Sequence, residues 1–516
     1  MTPLNVKDLL LASRLDSQQA VELLSPYGFR DPAQADSNLQ AMADVPAERQ
    51  LLAEVLEELL SCVAQSADPD RAMNHFERFA RAAVNKSALF SYLKESPRTL
   101  EILAKTFGGS PYMAEILIRD PVYLYWVTDP QILHHSRKKV EIARNLLRAL
   151  KPISAEQMQL DFLRTFKRKE MLYIGVRDLL RLCSVEETLT SLSTLAEVVI
   201  SAAYRICRST LSREYGIRKN AFGGFTVLGM GKLGGGELNF SSDVDLVYLY
   251  AHDLESRDSG LTASEYFRRL SQKITVALSD FTGEGYMYRV DLRLRPEGSM
   301  GNIVYSLDGF RRYYDTRGET WERLALLKAW PVAGDRELGM QFLNTVRPFV
   351  YDLPFDLKAL NDVRSIKKKI DQKMSARQQR RRNVKLGFGG IREIELIIQV
   401  LQVSFGAKIP RICERNTLKA LRAMQEQSIL SEEEHEKLST AYIFLRDVEN
   451  KLQMVDDAQT HSLPTSADGL KSCARMLGYS DAEKFMQDYR FHTDRVNGIF
   501  ESIFSASGNR RFSQTK

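Results

Sequence analysis

The segment Val227–Tyr250, VLGMGKLGGGELNFSSDVDLVYLY, constrains this chain more than any other. Apolar runs with strand character stand at both ends, and a glycine-rich loop with one lysine lies between them. The second run begins with Asp243 and Asp245, two residues apart. On an extended strand both carboxylates point to one face, while Val244, Leu246 and Tyr248 point to the other. Like charges this close raise each other's pKa and repel unless something positive sits between them. Magnesium, a hard cation with oxygen ligands, meets that need. The loop Gly229–Gly236 leaves backbone amides open, so Gly231, Lys232, Gly234 and Gly235 are candidate phosphate contacts. Lys232 would add a point charge there. No Ser or Thr follows the lysine, which excludes a Walker A loop, and no GxGxxG spacing opens onto a dinucleotide site.

A third acid stands downstream. In Tyr288–Arg295, YRVDLRLR, strand alternation predicts Arg289, Asp291, Arg293 and Arg295 on one face. Tyr288, Val290, Leu292 and Leu294 then form the core face. Taken alone, the pattern also suits a solvent-facing edge strand with mixed charges. Beside the Asp243/Asp245 strand, however, Asp291 would complete a carboxylate triad. Arg293 and Arg295 would then recognise phosphate, with Arg289 in support, because a guanidinium fork matches phosphate oxygens. Such a triad behind a Gly–Lys loop is similar to the nucleotidyltransferase fold shared with DNA polymerase β. Two Mg²⁺ ions held by Asp243, Asp245 and Asp291 would align an attacking oxygen and stabilise the leaving one at phosphorus.

The surroundings read as helical. Apolar residues recur at helical spacing in Leu51–Leu60 and Leu189–Val199. Residues 16–45, rich in Pro, Asp and Ser, read as a connecting region. Strand-like runs at 225–228, 244–250 and 285–295 enclose a helical pattern at Ala263–Leu278, and helix resumes after about Val350. The expected fold class is α+β, mostly α. A polymerase-β-like nucleotidyltransferase α/β core (216–350) is flanked by an N-terminal helical domain (1–215) and a C-terminal helical bundle (351–516). At 516 residues, 44% hydrophobic and 27% charged, the chain is ordinary for a soluble multidomain protein. No apolar run reaches the roughly 18 residues of a membrane span. The start carries no basic leader, so a cytoplasmic protein with no membrane partner is expected. The net charge of +6 does not call for nucleic acid. The basic run Arg364–Lys385 holds ten basic residues and one acidic. It reads either as a solvated helix or as a patch for an anionic partner. Five scattered cysteines and no CxxC pair disfavour structural zinc and disulfides.

Six ordered strings carry a family resemblance: GMGKLGGGELNFSSDVDL, YRVDLRLRPEG, TWERLALLKAW, GFGGIREIELIIQ, YIFLRDVENKLQ and DAQTHSLP. Together they resemble bacterial glutamine synthetase adenylyltransferase/adenylyl-removing enzymes from about Leu23 to the C-terminus. That family has two nucleotidyltransferase units in tandem, one removing AMP from a tyrosine of glutamine synthetase and one adding it from ATP. The sequence shows one such unit, and its GGELNFSSD and VDLRLRP spellings resemble the adenylyl-removing unit more closely. The resemblance thus implies phosphorolysis: phosphate attacks, the tyrosine oxygen leaves, and ADP is released. It also implies glutamine synthetase, nucleotide (ATP or ADP) and phosphate as partners, with the PII signal protein as a regulator. A separate chain carrying the second unit is a further expected partner. Adenylylation by the same site and a non-catalytic regulatory role are the alternatives. A uridylyltransferase for a signal protein is disfavoured by the flanking strings.

Two further helices bear on the site. Arg392, Glu395, Gln399 and Gln402 form a thin polar stripe on an otherwise apolar helix, which either faces solvent or lines a site. Arg446, Glu449, Asn450, Gln453 and Asp457 form a second stripe, read as site or as exposed edge. Glu322, Arg323 and Lys328 follow the triad strand. His134–His135 reads as an exposed turn pair, and His252 has only its proximity to the aspartates in its favour.

Overall fold

The computed structural model describes residues 5–12, 15–218, 221–254, 261–354, 357–373, 377–456 and 460–504. Helices predominate around one small mixed sheet, in line with the α+β, mostly α expectation. Two compact units form. One comprises Met1–Ser136, Arg168–Val185 and Asp447–Asp488, the other Arg137–Lys167, Glu186–Arg446 and Tyr489–Lys516. This partition cuts across the three consecutive spans expected from sequence: the boundaries at 215/216 and 350/351 both fall inside the second unit. Helices distant in the chain share cores, which local periodicity does not report.

In the first unit, helices Pro46–Ala64, Pro69–Ala82 and Pro97–Gly109 each bury an apolar face. Phe107 packs against Phe76 and Phe79, with ring centroids 4.9 and 5.5 Å away. The supposed connecting region 16–45 is instead helical, at Ser17–Leu24 and Pro32–Met42. Its polar residues are caps. Asp16 closes a capping box with Gln19, and Asp31 Oδ1 accepts from the Gln34 amide at 2.9 Å while Pro32 opens the helix. A buried lysine, Lys451, pairs with Asp178 and lies 3.3 Å from Asp447 Oδ1.

The second unit carries the sheet. Its strands are β1 (Phe225–Gly229), β2 (Val244–Tyr250), β3 (Val290–Asp291), β4 (Val304–Ser306) and β5 (Trp330–Gly334). The order is β3-β2-β1-β5, with β4 also on β2. β1 is antiparallel to β2 and to β5. β3 and β4 both run parallel to β2, at its start and its end. Helix Ala263–Ser279, started by a Thr262/Glu265 capping box, stacks Phe267 on Phe225 and Tyr250 at 5.2 and 5.3 Å.

Two strand expectations need correction. The run 285–295 forms a strand only at Val290–Asp291. The Asp291 side chain accepts from the Arg293 amide at 2.8 Å and the Arg295 amide bonds back to Leu292 O, so the chain turns before Pro296. Leu292–Arg295 therefore do not alternate between two faces. Conversely Trp330–Gly334, where no strand was expected, is the edge strand β5.

Asp31→Ala removes a cap acceptor from a helix whose other end has no cap bond of its own. It is expected to destabilise the protein by about 1 kcal/mol, read as a lower denaturation midpoint.

Candidate active site

The two aspartates of the DxD string arrive differently. Asp243 precedes β2, whereas Asp245 sits inside it. Parallel pairing sets Asp245 directly opposite Asp291 and Val244 opposite Val290. Two of the three expected acids are thus brought side by side. Burial raises the Asp245 carboxyl to about 7, helped by the Asp291 and then the Asp243 charges and opposed by Lys385 and Lys232.

The arginines divide their work. Arg289 Nε holds Asp243 Oδ1 at 2.7 Å, and its Nη2 bonds Ser241 O at 2.8 Å, fixing the approach to β2. Arg293 folds back onto Asp291, with Nε 2.8 Å from Oδ2. The Asp291 carboxyl is held below its ordinary range: partial burial would raise it, but the Arg293 bonds outweigh that. Arg295 bonds the backbone carbonyls of Leu292, Ser299 and Gly301, which makes it the clamp of its own loop. Among the described residues no three His, Cys, Asp or Glu side chains converge closely enough to hold a metal ion. Asp243 and Asp291 face their arginines instead. Carboxylate oxygens are the donor type a hard cation takes, and Asp245 is the one of the three acids without an arginine paired to it.

The glycine loop folds into a single helical turn, Gly231–Gly235. Its glycines serve different ends. Gly231 has φ +50°, and a Cβ there would lie 2.8 Å from Asp245 Oδ2. Only glycine allows this close approach to the carboxylate. Gly234 and Gly235 are buried. A Cβ on Gly234 would lie 1.7 Å from Lys328 O. These two pack the turn against the protein, and the structure gives them no place on the cavity wall. Lys232 Nζ donates to Asn239 Oδ1 at 2.6 Å.

A cavity of about 300 Å³ opens beside Asp245, lined by Gly231, Lys232, Asp245, Leu294, Trp321, Leu324, Ala325, Lys328, Lys385, Arg392, Glu395 and Gln399. The polar stripe of helix Ile391–Phe405 therefore lines a site, as three of its four members show; Gln402 Nε2 instead holds Ile412 O at 2.8 Å. At the cavity's inner wall, the buried Lys328 Nζ sits 2.7 Å from Glu237 Oε2, 3.4 Å from Glu395 Oε1 and 3.1 Å from Thr417 Oγ1. Burial works against the lysine's charge, but Glu237 and Glu395 outweigh it and raise its pKa. Glu395 is likewise opposed by burial yet held down to about 2, by Lys328 first and then Arg392. Arg446, from the second polar stripe, donates to Glu237 O and is wholly buried; Glu449, Asn450 and Gln453 are also buried, which excludes an exposed edge, and Asp457 lies outside the described residues.

Other candidates resolve as structural. Arg323 is buried and bonds Val350 O and Leu353 O, and Glu322 accepts from Tyr313 Oη at 3.1 Å. His134, His135 and His252 are exposed. In the basic run, Lys385 lines the cavity, Lys367 pairs with Glu393 at 2.9 Å, and residues 374–376 lie outside the described residues. No disulfide joins the cysteines among the described residues. Sequence reasoning missed Glu237 and Lys385. A lone acid inside an otherwise neutral GGELNF string was the available signal for the first; the density of charge around Lys385 hid the second.

Residues 100–345 match the family described as glutamate-ammonia ligase adenylyltransferase, and residues 364–504 match the one described as GlnD PII-uridylyltransferase. A Nitrosococcus oceani protein is 37% identical over 442 residues, covering 84% of this chain and 45% of its own length. One from Thioalkalivibrio sulfidiphilus is 38% identical over 410 residues, covering 79% and 42%. One from Xanthomonas axonopodis pv. citri is 43% identical over 347 residues, covering 66% and 37%. All three bear the name bifunctional glutamine synthetase adenylyltransferase/adenylyl-removing enzyme. The mostly α, α+β fold is consistent with the nucleotidyltransferase class, and the chain belongs to the glutamate-ammonia ligase adenylyltransferase family. It spans less than half the length of these relatives. No helix among the described residues is long and apolar enough to cross a membrane.

Lys328→Met leaves Glu237 and Glu395 buried without their shared cation. We expect a loss of about 3–5 kcal/mol in denaturant titration. A variant as stable as the parent would show that the ion cluster does not hold this wall.

Proposed function

We propose that this chain is a nucleotidyl-transfer enzyme acting on glutamine synthetase, removing AMP from its adenylyl-tyrosine by phosphorolysis. The observation that carries this reading is Asp245 opposite Asp291 on parallel strands, with Gly231 against the Asp245 carboxylate. The names of the relatives support glutamine synthetase as the substrate. They name both directions of the modification; the GGELNFSSD and VDLRLRP spellings favour removal. The match of residues 364–504 supports a regulatory link to the PII signal protein.

In this reaction an oxygen of inorganic phosphate bonds to the AMP phosphorus as the bond to the tyrosine oxygen breaks. ADP forms, and the proton that phosphate gives up balances the one the tyrosine oxygen gains. Lys232, Lys385 and Arg392 supply a positive field on the cavity wall for the phosphates. Trp321, Leu324 and Ala325 give the same cavity an apolar side suited to a nucleotide base. Asp243, Asp245 and Asp291 would hold magnesium, two ions in this reading, which when bound neutralise charge at the transferring phosphoryl group. Arg289 and Arg293 anchor Asp243 and Asp291.

Purified protein with Mg²⁺ and either adenylylated glutamine synthetase plus phosphate or unmodified enzyme plus ATP, read by intact mass, tests the reading. Loss of AMP with ADP appearing, in the first mixture alone, is the expected result. Gain of AMP in the second alone would reverse the direction, and no change in either would remove the activity from this chain. Chelation with EDTA should abolish turnover and added Mg²⁺ restore it. Asp245→Asn should lower turnover more than about 100-fold, beyond the 10–100-fold typical of groups one step from a metal, with unchanged circular dichroism.

A further inference from the structure

One buried side chain on the wall of the cavity beside Asp245 is only half satisfied. Gln399 is 6% exposed, and its Nε2 donates to Leu324 O at 3.3 Å. A backbone carbonyl can only accept, so this bond settles which end of the amide is nitrogen and leaves the oxygen as the other end. Gln399 Oε1 is buried and has no hydrogen-bond partner among the described residues. The next glutamine on the same helix is the contrast. Gln402 Nε2 bridges Ile412 O and Glu414 O at 2.8 and 2.6 Å, so its donors are taken up in joining backbone segments. A buried acceptor without a donor costs stability, and in folded proteins such atoms are nearly always paired. A leucine would fill the position on this apolar helix without that cost, so packing alone does not account for the amide.

The groups around Gln399 point to the donor. Helix Thr320–Leu326 brings Trp321, Leu324 and Ala325 to the cavity at i, i+3 and i+4, which is one helical face. The Trp321 ring is half-buried, and its Nε1 is already given to Glu319 Oε2 at 2.7 Å. What the indole offers the cavity is therefore its apolar ring. Gln399 stands on the same wall, and no other side-chain amide or hydroxyl does among the described residues. Arg392, also on the wall, lies seven residues earlier on helix Ile391–Phe405, roughly 10 Å by helix rise. That is the length scale of a mononucleotide, with its charge at one end and its base at the other. A base lying against Trp321 would turn its edge to the amide. On that edge adenine carries an amino donor where a 6-oxopurine carries a carbonyl acceptor.

We propose that Gln399 selects the base: its Oε1 accepts a hydrogen bond from the exocyclic 6-amino group of a purine lying against Trp321, so the cavity prefers adenine to a 6-oxopurine. This role rests on the proposed reading of the cavity as a nucleotide site and names the group that reads the base. A 6-oxopurine would set one carbonyl against another at this point and leave the amide oxygen unpaired.

Calorimetric titration of the full chain, with Mg²⁺ present, compares ADP with IDP, which carries an oxygen in place of the 6-amino group. The parent is expected to bind ADP about tenfold or more tightly than IDP. Gln399→Leu should bring ADP down to the IDP level. Trp321→Ala should weaken both nucleotides and keep their ratio, because stacking does not read the base edge. Equal binding of ADP and IDP by the parent, an unchanged ratio in Gln399→Leu, or undiminished ADP binding in Trp321→Ala would each overturn the base-selecting role while nucleotide binding stands. A parent that binds neither nucleotide would overturn that role together with the nucleotide-site reading. The comparison within the parent needs no substitution, so it decides even where a buried variant fails to fold; circular dichroism checks the two variants.

Discussion

Lys328 holds the wall of the cavity beside Asp245 together. It leaves the end of one helix just before β5, and its ammonium sits in the interior between Glu237, from the loop after the glycine turn, and Glu395, from helix Ile391–Phe405. Its backbone carbonyl meanwhile presses on Gly234. One residue therefore ties the glycine turn, the edge of the sheet and the helix that closes the cavity. Burying a lone ammonium would be prohibitive; two carboxylates and the Thr417 hydroxyl make it tolerable. Thr417 in turn gives its amide to Glu237, and Arg446 donates to the Glu237 carbonyl. The cluster brings charge into the core and leaves Glu395 anionic beside Arg392 at the cavity.

The carboxylates on β2 and β3 show the complementary arrangement. There the protein gathers negative charge and compensates only part of it. Arg289 and Arg293 neutralise the two outer acids, while Asp245, between them in charge terms and against the Gly231 backbone, has no bonded cation of its own among its principal influences. Burial, with the Asp291 and Asp243 charges, raises this half-buried carboxyl to about 7.

Much of this was legible beforehand, for reasons that can be assigned. β1, β2 and helix Ala263–Ser279 announce themselves through runs of apolar residues with the right period. Asp245 and Asp291 could be paired because a strand's two-residue period leaves little freedom once two strands are neighbours. The stripe Arg392–Glu395–Gln399 on an apolar helix pointed to a lined cavity and lies on one. What failed failed locally. Alternation through Arg295 broke because Asp291 captures the Arg293 amide, a side-chain bond that periodicity cannot see. The polar region 16–45 looked like a connector because Asp and Pro signal both turns and helix starts.

The amino-acid order by itself determined the vocabulary of the candidate site: a glycine turn with one lysine, two acids at the start of one strand, a third acid on another. These follow from short-range periodicity and from the chemistry each residue type can perform. Only the tertiary structure decided which glycines touch a carboxylate and which touch backbone, and that Arg295 serves its own loop. It likewise decided that Glu237, some 90 residues from Lys328, is its partner. Those outcomes depend on distances between segments far apart in the chain, and they are set by how buried charges find compensation, a constraint that acts on the folded whole rather than on any stretch of sequence.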